Sequence, residues 1–167
     1  MPDDLDQVYR QHGASVWRYV RARVPDDAEA QDVTSEVFLR AVRSHDRFDP
    51  SRGSEGAWLV GIARHVIADW WRRRTVPVAL GEELDPRGDL VDEAEGPEER
   101  ALRGDAATAV HRILAVLSER ERDAVALRFA AGLRSAEVGS VLGISEAAAK
   151  MLVHRAITKL RAAVGDE

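Results

Sequence analysis

Residues 70–74 read Trp-Trp-Arg-Arg-Arg, two indoles followed by three guanidinium groups at the end of an apolar-striped helical pattern. Guanidinium groups suit phosphates, and aromatic faces suit bases unstacked from a single strand. Trp58 and Trp70 fall on the apolar stripe and read as core. That leaves Trp71 with Arg72, Arg73 and Arg74 as candidates for gripping a strand. The same cations would also sit favourably against the dipole at a helix C-terminus. The pentapeptide alone does not separate these readings.

A second constellation spans Ser135 to Arg161. A short helix is expected over Ser135–Leu142, then a three-residue turn Gly143-Ile144-Ser145, then a long helix from Glu146 to about Ala163. Gly143 is placed to stop the first helix and Ser145 to cap the second. This is helix-turn-helix spacing, in which the second helix enters a major groove. Ala149, Val153, Ala156, Ile157 and Leu160 recur as its inward stripe. Ala147, Ala148, Lys150, Met151, His154 and Arg155 are left facing outward. Residues 147–161 hold Lys150, Arg155, Lys159 and Arg161 and no acid. An ordinary helical hairpin shares the hydrophobic pattern; the turn length, the cap and the acid-free basic face favour DNA.

No enzyme constellation accompanies them. The histidines, at 12, 45, 65, 111 and 154, form no pair at metal-binding spacing beside carboxylates, and there is no cysteine to supply a thiolate or a disulfide. A phosphate-cradling glycine loop and a nucleophile elbow are both missing. Neither catalysis nor a cofactor is expected. The start, Met1-Pro2-Asp3-Asp4, lacks the basic residues and apolar core of a signal peptide, and no run approaches the roughly 18 apolar residues of a membrane span. A cytoplasmic chain without membrane contact of its own is expected.

The elements that must position these residues are helices, because Ala, Leu, Arg and Glu dominate and strand-like runs are missing. Leu5, Val8, Tyr9, His12, Val16 and Val20 mark one helix face, and Pro25-Asp26-Asp27 breaks and restarts the chain. Ala30, Val33, Val37 and Ala41 mark a second helix, whose other face shows Gln31, Asp32, Ser35, Glu36 and Arg40. After a loop at Asp46–Gly53, a third runs from about Ser54 to Arg73, striped by Trp58, Leu59, Ile62, Ala63, Val66, Ile67 and Trp70. In the second half, helices are expected at about Asp105–Leu117 and from the Ser118–Glu121 capping box to Ala130, with Gly132 ending the latter.

Between the halves lies a stretch with Pro77, Pro86, Pro97, Gly81, Gly88 and Gly96, and residues 75–104 carry nine acids against three bases. Such composition buries little and reads as a linker. The predicted architecture is therefore all-α: two small helical domains, 1–74 and 105–167, joined by an acidic flexible linker, 75–104, with the helix-turn-helix in the second. The overall charge of −5 does not count against nucleic acid, since the acidity concentrates in the linker.

Together these pieces resemble the extracytoplasmic-function (ECF) sigma factors of bacteria. Asp27-Ala28-Glu29 followed by Gln31–Ala41 is similar to the group's polymerase-binding helix. Phe48-Asp49-Pro50-Ser51-Arg52-Gly53-Ser54, then Ala57-Trp58-Leu59 and Ile62-Ala63-Arg64, resembles its −10 promoter-melting segment. Ser118–Arg122 and Gly143–Glu146, with Lys150 and His154-Arg155-Ala156, resemble its −35-binding domain. The resemblance covers both domains in order. It implies that Gln31, Asp32, Ser35, Glu36 and Arg40 dock on the β′ clamp of core RNA polymerase, with the β subunit also in contact. It implies a −10 surface of Arg52, Ser54, Glu55, Arg64, His65 and Trp71 to Arg74, and a −35 surface of Ser145, Glu146, Ala147, Ala148, Lys150, Met151, His154, Arg155 and Lys159. A cognate anti-sigma factor and a monomeric free state are further implications, and no extra C-terminal domain is expected after the last helix.

Departures from the family pattern fall on the reading surfaces. Glu55-Gly56 stands where relatives carry an aromatic, His65 where they carry Asn, and Ala147-Ala148-Ala149 and Met151-Leu152 where they carry Gly-Thr-Val and Ser-Arg. Met151 and the alanines could still touch thymine methyls. Two other classes share part of the pattern. A conventional helix-turn-helix regulator would act without polymerase, usually as a dimer on paired half-sites, and no dimerisation stripe is left over. An interaction-only protein, such as one that sequesters another factor, would not need Arg155 or Lys159.

Overall fold

Val8, Val16, Tyr19 and Val20 recur at helical spacing and are buried, which makes the first helix, α1 (Pro2–Arg23), amphipathic. The computed structural model describes residues 2–75 and 109–165. Tyr9, expected on the buried face, is instead exposed and packs edge-on against Phe38 at 5.0 Å. Helix α1 stops before Pro25, whose carbonyl accepts from the Arg21 guanidinium at 2.7 Å. Asp26 then caps α2 (Asp27–Ser44) by accepting from the Glu29 N–H at 2.9 Å. Ala30, Val33, Val37, Phe38 and Ala41 form its buried stripe.

Two short 3₁₀ turns, His45–Arg47 and Pro50–Arg52, occupy the expected loop. Ser54 caps α3 (Glu55–Thr75) by accepting from the Ala57 N–H at 3.2 Å. Leu59, Val60, Ala63, Val66 and Ile67 carry α3 into the core between α1 and α2.

In the second half α4 covers 109–114; the start expected near Asp105 lies outside the described residues, as does most of the linker expected at 75–104. Ser118 and Glu121 form a full capping box, with Ser118 Oγ accepting from Glu121 N–H and the Glu121 carboxylate from Ser118 N–H. Helix α5 (Glu119–Val125) does not run on as α-helix to Ala130. It widens into a π turn, Ala126–Ala130, where the Ala131 N–H reaches back to the Ala126 carbonyl at 2.9 Å. Helix α6 (Ser135–Leu142) ends at Gly143, whose φ of 68° is a left-handed stop, and the Ile144 N–H closes on the Gly139 carbonyl at 2.9 Å. Helix α7 (Glu146–Gly165) starts on Ser145, which accepts from Ala148 N–H at 3.1 Å.

The two helical domains are not independent bodies. One buried apolar cluster takes Val16, Tyr19 and Val20 from α1 and Leu127, Leu133 and Val138 from the second domain.

Candidate nucleic-acid interface

Three surfaces gather the predicted site residues. The first lies on α7. Helix α6 and the left-handed turn hold it at one angle because Gly139 lies against the turn backbone: a Cβ there would come within 2.8 Å of the Ile144 carbonyl oxygen. Ala149, Leu152, Val153 and Ala156 face inward. Leu152 thus belongs to the core stripe, although it was not expected there. Ser145, Glu146, Ala147, Ala148, Lys150, Met151, His154 and Arg155 are all exposed, with Met151 at 56%. Small alanines and a flexible thioether beside cations give a surface that can approach base edges closely. Lys150 pairs with Glu146 at 3.2 Å, one turn back. Lys159 differs from the rest: its ammonium is 2.9 Å from Glu121 and ties α7 to α5.

The second surface is a groove of about 640 Å³ beside the start of α3. Phe48, Arg52, Ser54, Trp58 and His65 line it from the first domain. Phe48 and Trp58, 5.2 Å apart at a tilt of 42°, supply an aromatic wall that the sequence reading did not identify as a site. Asp49 shapes the rim by accepting from both the N–H and the Oγ of Ser51, and those two bonds hold its pKa below the ordinary carboxylate value.

Glu55 does not join this groove. Its carboxylate turns inward to His12 at 3.1 Å and His45 at 3.8 Å, where it ties the start of α3 to α1 and the first 3₁₀ turn. Gly56 beside it lies so close to His12 that a Cβ would meet the ring at 3.3 Å. Of the Trp-Arg cluster, Trp71 is 39% exposed and stacks edge-on with Trp70 at 4.8 Å. The Arg74 guanidinium lies 4.4 Å from the Trp70 ring centroid and pairs with Glu29. Arg72 pairs with Asp69. This end of α3 is therefore partly knitted into the fold.

The third surface is the cleft between α2 and α3, about 890 Å³, lined by Asp32, Glu36, Arg40 and Asp69, with Gln31 and Ser35 exposed on the same helix. Arg40 bridges the two helices through Glu36 at 2.9 Å and Asp69 at 3.2 Å; the hydrogen bond it donates to Glu36 leads in raising its pKa. The cleft presents fixed, mixed charge suited to a protein partner rather than to nucleic acid alone.

Arg64 lies between the domains. Its Nε donates to Asp123 Oδ2 at 2.6 Å, and Asp123 Oδ1 accepts from the buried Tyr19 hydroxyl at 2.5 Å. Burial works against the Arg64 charge, but the hydrogen bond and attraction from Asp123 outweigh it and raise the pKa. Burial, then Asp123, pushes the Tyr19 phenol well above its ordinary value, so it stays a donor.

Among the described residues no group of three or more His, Asp or Glu could hold a metal ion, and no helix is long and apolar enough to cross a membrane.

Sigma-70 region 2 matches residues 8–76, and Sigma-70 region 4 matches residues 113–162. The chain is 36% identical over 168 residues to the ECF RNA polymerase sigma factor BldN of Streptomyces coelicolor, covering 99% of this chain but 62% of that protein. It is 34% identical to the ECF sigma factor ShbA of Streptomyces griseus, covering 87% of this chain and 79% of that one. In fold it resembles CnrH in complex with the cytosolic domain of CnrY, at a TM-score of 0.76 and 24% identity over 100% of this chain and 91% of that one. It also resembles the sigma factor RpoE bound to the anti-sigma factor NepR from Bartonella quintana, at a TM-score of 0.69 and 17% identity over 97% of each chain. With both sigma-70 regions matched in order and relatives of this identity covering most of its length, the chain belongs to the ECF RNA polymerase sigma factors.

Proposed function

We propose that this chain directs promoter-specific initiation by binding core RNA polymerase and reading two promoter elements. The observation that supports it best is the pairing, in one chain, of an aromatic-walled groove at Phe48, Ser54 and Trp58 with an outward recognition helix at Glu146–Arg155. In this reading Gln31, Asp32, Ser35, Glu36 and Arg40 dock on the β′ clamp. Arg52, Ser54, Arg64, His65 and the Trp71–Arg74 end of α3 hold the non-template strand of the −10 element. Ser145 to Arg155 lies in the major groove of the −35 element, where phosphate contacts fix register and base edges give sequence. The domain boundaries 1–74 and 105–167, with the acidic 75–104 as connector, belong to the same proposal.

Neither DNA surface need bind tightly alone, because core polymerase raises the effective concentration of each for its element. The chain performs no chemistry itself, and its place of action is the cytoplasm, where polymerase is. A cognate anti-sigma factor is the expected regulator, by analogy with the NepR-bound relative. The test is transcription in vitro: the chain plus core polymerase should give promoter-dependent transcripts, and transcripts at the same rate from core alone would overturn the reading.

A further inference from the structure

Trp58 lines two spaces at once: the aromatic-walled groove, and a cavity of about 250 Å³. Leu5 and Val8 of α1, Phe38 and Val42 of α2, and His45 and Asp46 of the first 3₁₀ turn line that cavity. A ring beside open space lacks packing partners on that side and can tilt unless another group stands in the way. The group that stands there is His45, whose ring meets Trp58 edge-on at 6.1 Å. The His45 carbonyl also accepts from the Phe48 N–H at 3.0 Å. Both aromatic members of the groove wall therefore lean on this one residue.

His45 is in turn held by a carboxylate that lies outside the groove. Glu55 accepts from the His12 ring on α1 at 3.1 Å through Oε2, and its Oε1 lies 3.8 Å from His45 Nε2. The His12 and Glu55 side chains are only 18% and 25% exposed, so α1 aims the carboxylate and partly shields it from water. At 3.8 Å the contact with His45 is too long for a hydrogen bond and acts through charge. We propose that Glu55 is a positioning residue for strand capture: braced by His12, it holds His45 against Trp58 without touching DNA. The proposal rests on the assignment of the groove to the −10 strand.

The proton on His45 sets the strength of this brace. Histidine changes charge between about pH 5 and 8, and a protonated ring is drawn to the Glu55 carboxylate. Strand capture is therefore firmer near the acid end of that window. Asp46 is the other charged residue that lines the cavity with His45, and it is kept in every variant below. On the strand side Arg47, Asp49, Arg52, Glu137 and His65 line the groove. Of these types only histidine titrates in the window, and His65 is common to parent and variants, so their ratio removes it.

The first test uses the full-length chain without polymerase. Its Trp58 indole N–H signal in a nitrogen-labelled sample, identified by its loss in Trp58→Phe, reports whether the ring holds one position. Glu55→Gln keeps the side chain's shape and removes its charge. At about pH 6 it should broaden that signal through exchange on the microsecond-to-millisecond scale, while the parent signal stays sharp. Signals equally sharp in the two proteins would overturn the proposal.

The second test uses the chain with core polymerase, on a promoter defined by mapping the transcripts that the parent initiates. Permanganate reactivity of unpaired thymines measures strand capture. Glu55→Gln should lower it about two- to fivefold near pH 6, the factor a partly exposed charge pair supports, and by less near pH 8. Added to His45→Gln it should lower it no further, because Glu55 acts through His45. Losses that multiply in the double variant, or that are equal at both pH values, would mean that Glu55 serves the fold and not the wall. No transcripts from the parent would count against the sigma-factor reading, while the Trp58 signal still decides what holds the indole.

Discussion

The Tyr19 hydroxyl, on α1, donates to Asp123 Oδ1, on α5, at 2.5 Å, and both side chains are buried. Asp123 thus receives a phenol and a guanidinium from the other domain. A buried carboxylate with two strong donors holds its site in one arrangement, and each partner lost leaves a polar group with nothing to bond. Tyr19→Phe removes one donor and keeps the ring's packing, so it should lower stability by about 1–2 kcal/mol. Asp123→Ala strands the Tyr19 hydroxyl in an apolar setting and should cost about 1–3 kcal/mol. Urea unfolding followed by circular dichroism measures both; a Tyr19→Phe protein as stable as the parent would mean the contact is not made in solution.

Most of the fold was legible because local signals agree with one another. Asp26, Ser118, Ser145, Gly132 and Gly143 all act as the caps and stops that their types predict. The helix-turn-helix boundaries followed from two glycines, a serine and an apolar stripe. What was not legible depends on contacts between segments distant in sequence. Glu55 reads as an exposed acid at a helix start, and only the approach of α1 and the first 3₁₀ turn gives it His12 and His45. Lys159 reads as part of a basic face, and only the packing of α5 on α7 gives it Glu121. Tyr9 reads as part of the α1 stripe and Tyr19 does not, yet Tyr19 is the one buried, in a cluster completed by residues of the second domain. One clue to Asp123 was present: it stands four residues before the buried Leu127, on the same inward face.

Two glycines in helix interiors should respond to alanine in opposite ways. At Gly139 a Cβ would meet the Ile144 carbonyl oxygen at 2.8 Å and the Ser145 carbonyl oxygen at 3.1 Å, so the turn must open. Gly139→Ala should cost about 1–3 kcal/mol as an overpacked contact and should weaken duplex binding by α7 further, since the angle between α6 and α7 changes. At Gly61, in α3, nothing lies within 4 Å of the new carbon. Gly61→Ala should gain about 0.5–1 kcal/mol from helix propensity. Melting temperatures moving in the same direction would refute this account of the turn.

His111 links stability to pH. Burial, followed by the nearby cations of Arg21, Arg122 and Arg23, holds its pKa below the ordinary histidine value. The folded chain then prefers neutral imidazole, and the unfolded chain binds the proton more readily. Stability is present above the unfolded pKa of about 6.5 and is lost as pH falls through it. His111→Gln should flatten the slope of stability between about pH 7.5 and 5.5. A slope identical to the parent's would show that the cations around His111 are not sensed by its ring.

Lys159 and Arg155 separate structural from reading cations on the same helix. Lys159 is bonded to Glu121, and that bond, ahead of the Ser118 N–H, holds the Glu121 pKa below the ordinary glutamate value. A depressed carboxylate stabilises above its unfolded pKa, near 4.3, and the contribution disappears as pH falls through the lower folded value. Lys159→Ala should therefore lower the melting temperature at neutral pH and lessen the additional loss seen under acid. Arg155 is exposed on the outward face. Arg155→Ala should leave melting unchanged, weaken duplex binding and, if it contacts a phosphate, reduce the salt slope by about one. Calorimetry on the two variants, with duplex titrations at several salt concentrations, tests the division. If Lys159→Ala weakened DNA binding as much as Arg155→Ala with no loss of stability, Lys159 would belong to the reading surface rather than to the link between α5 and α7.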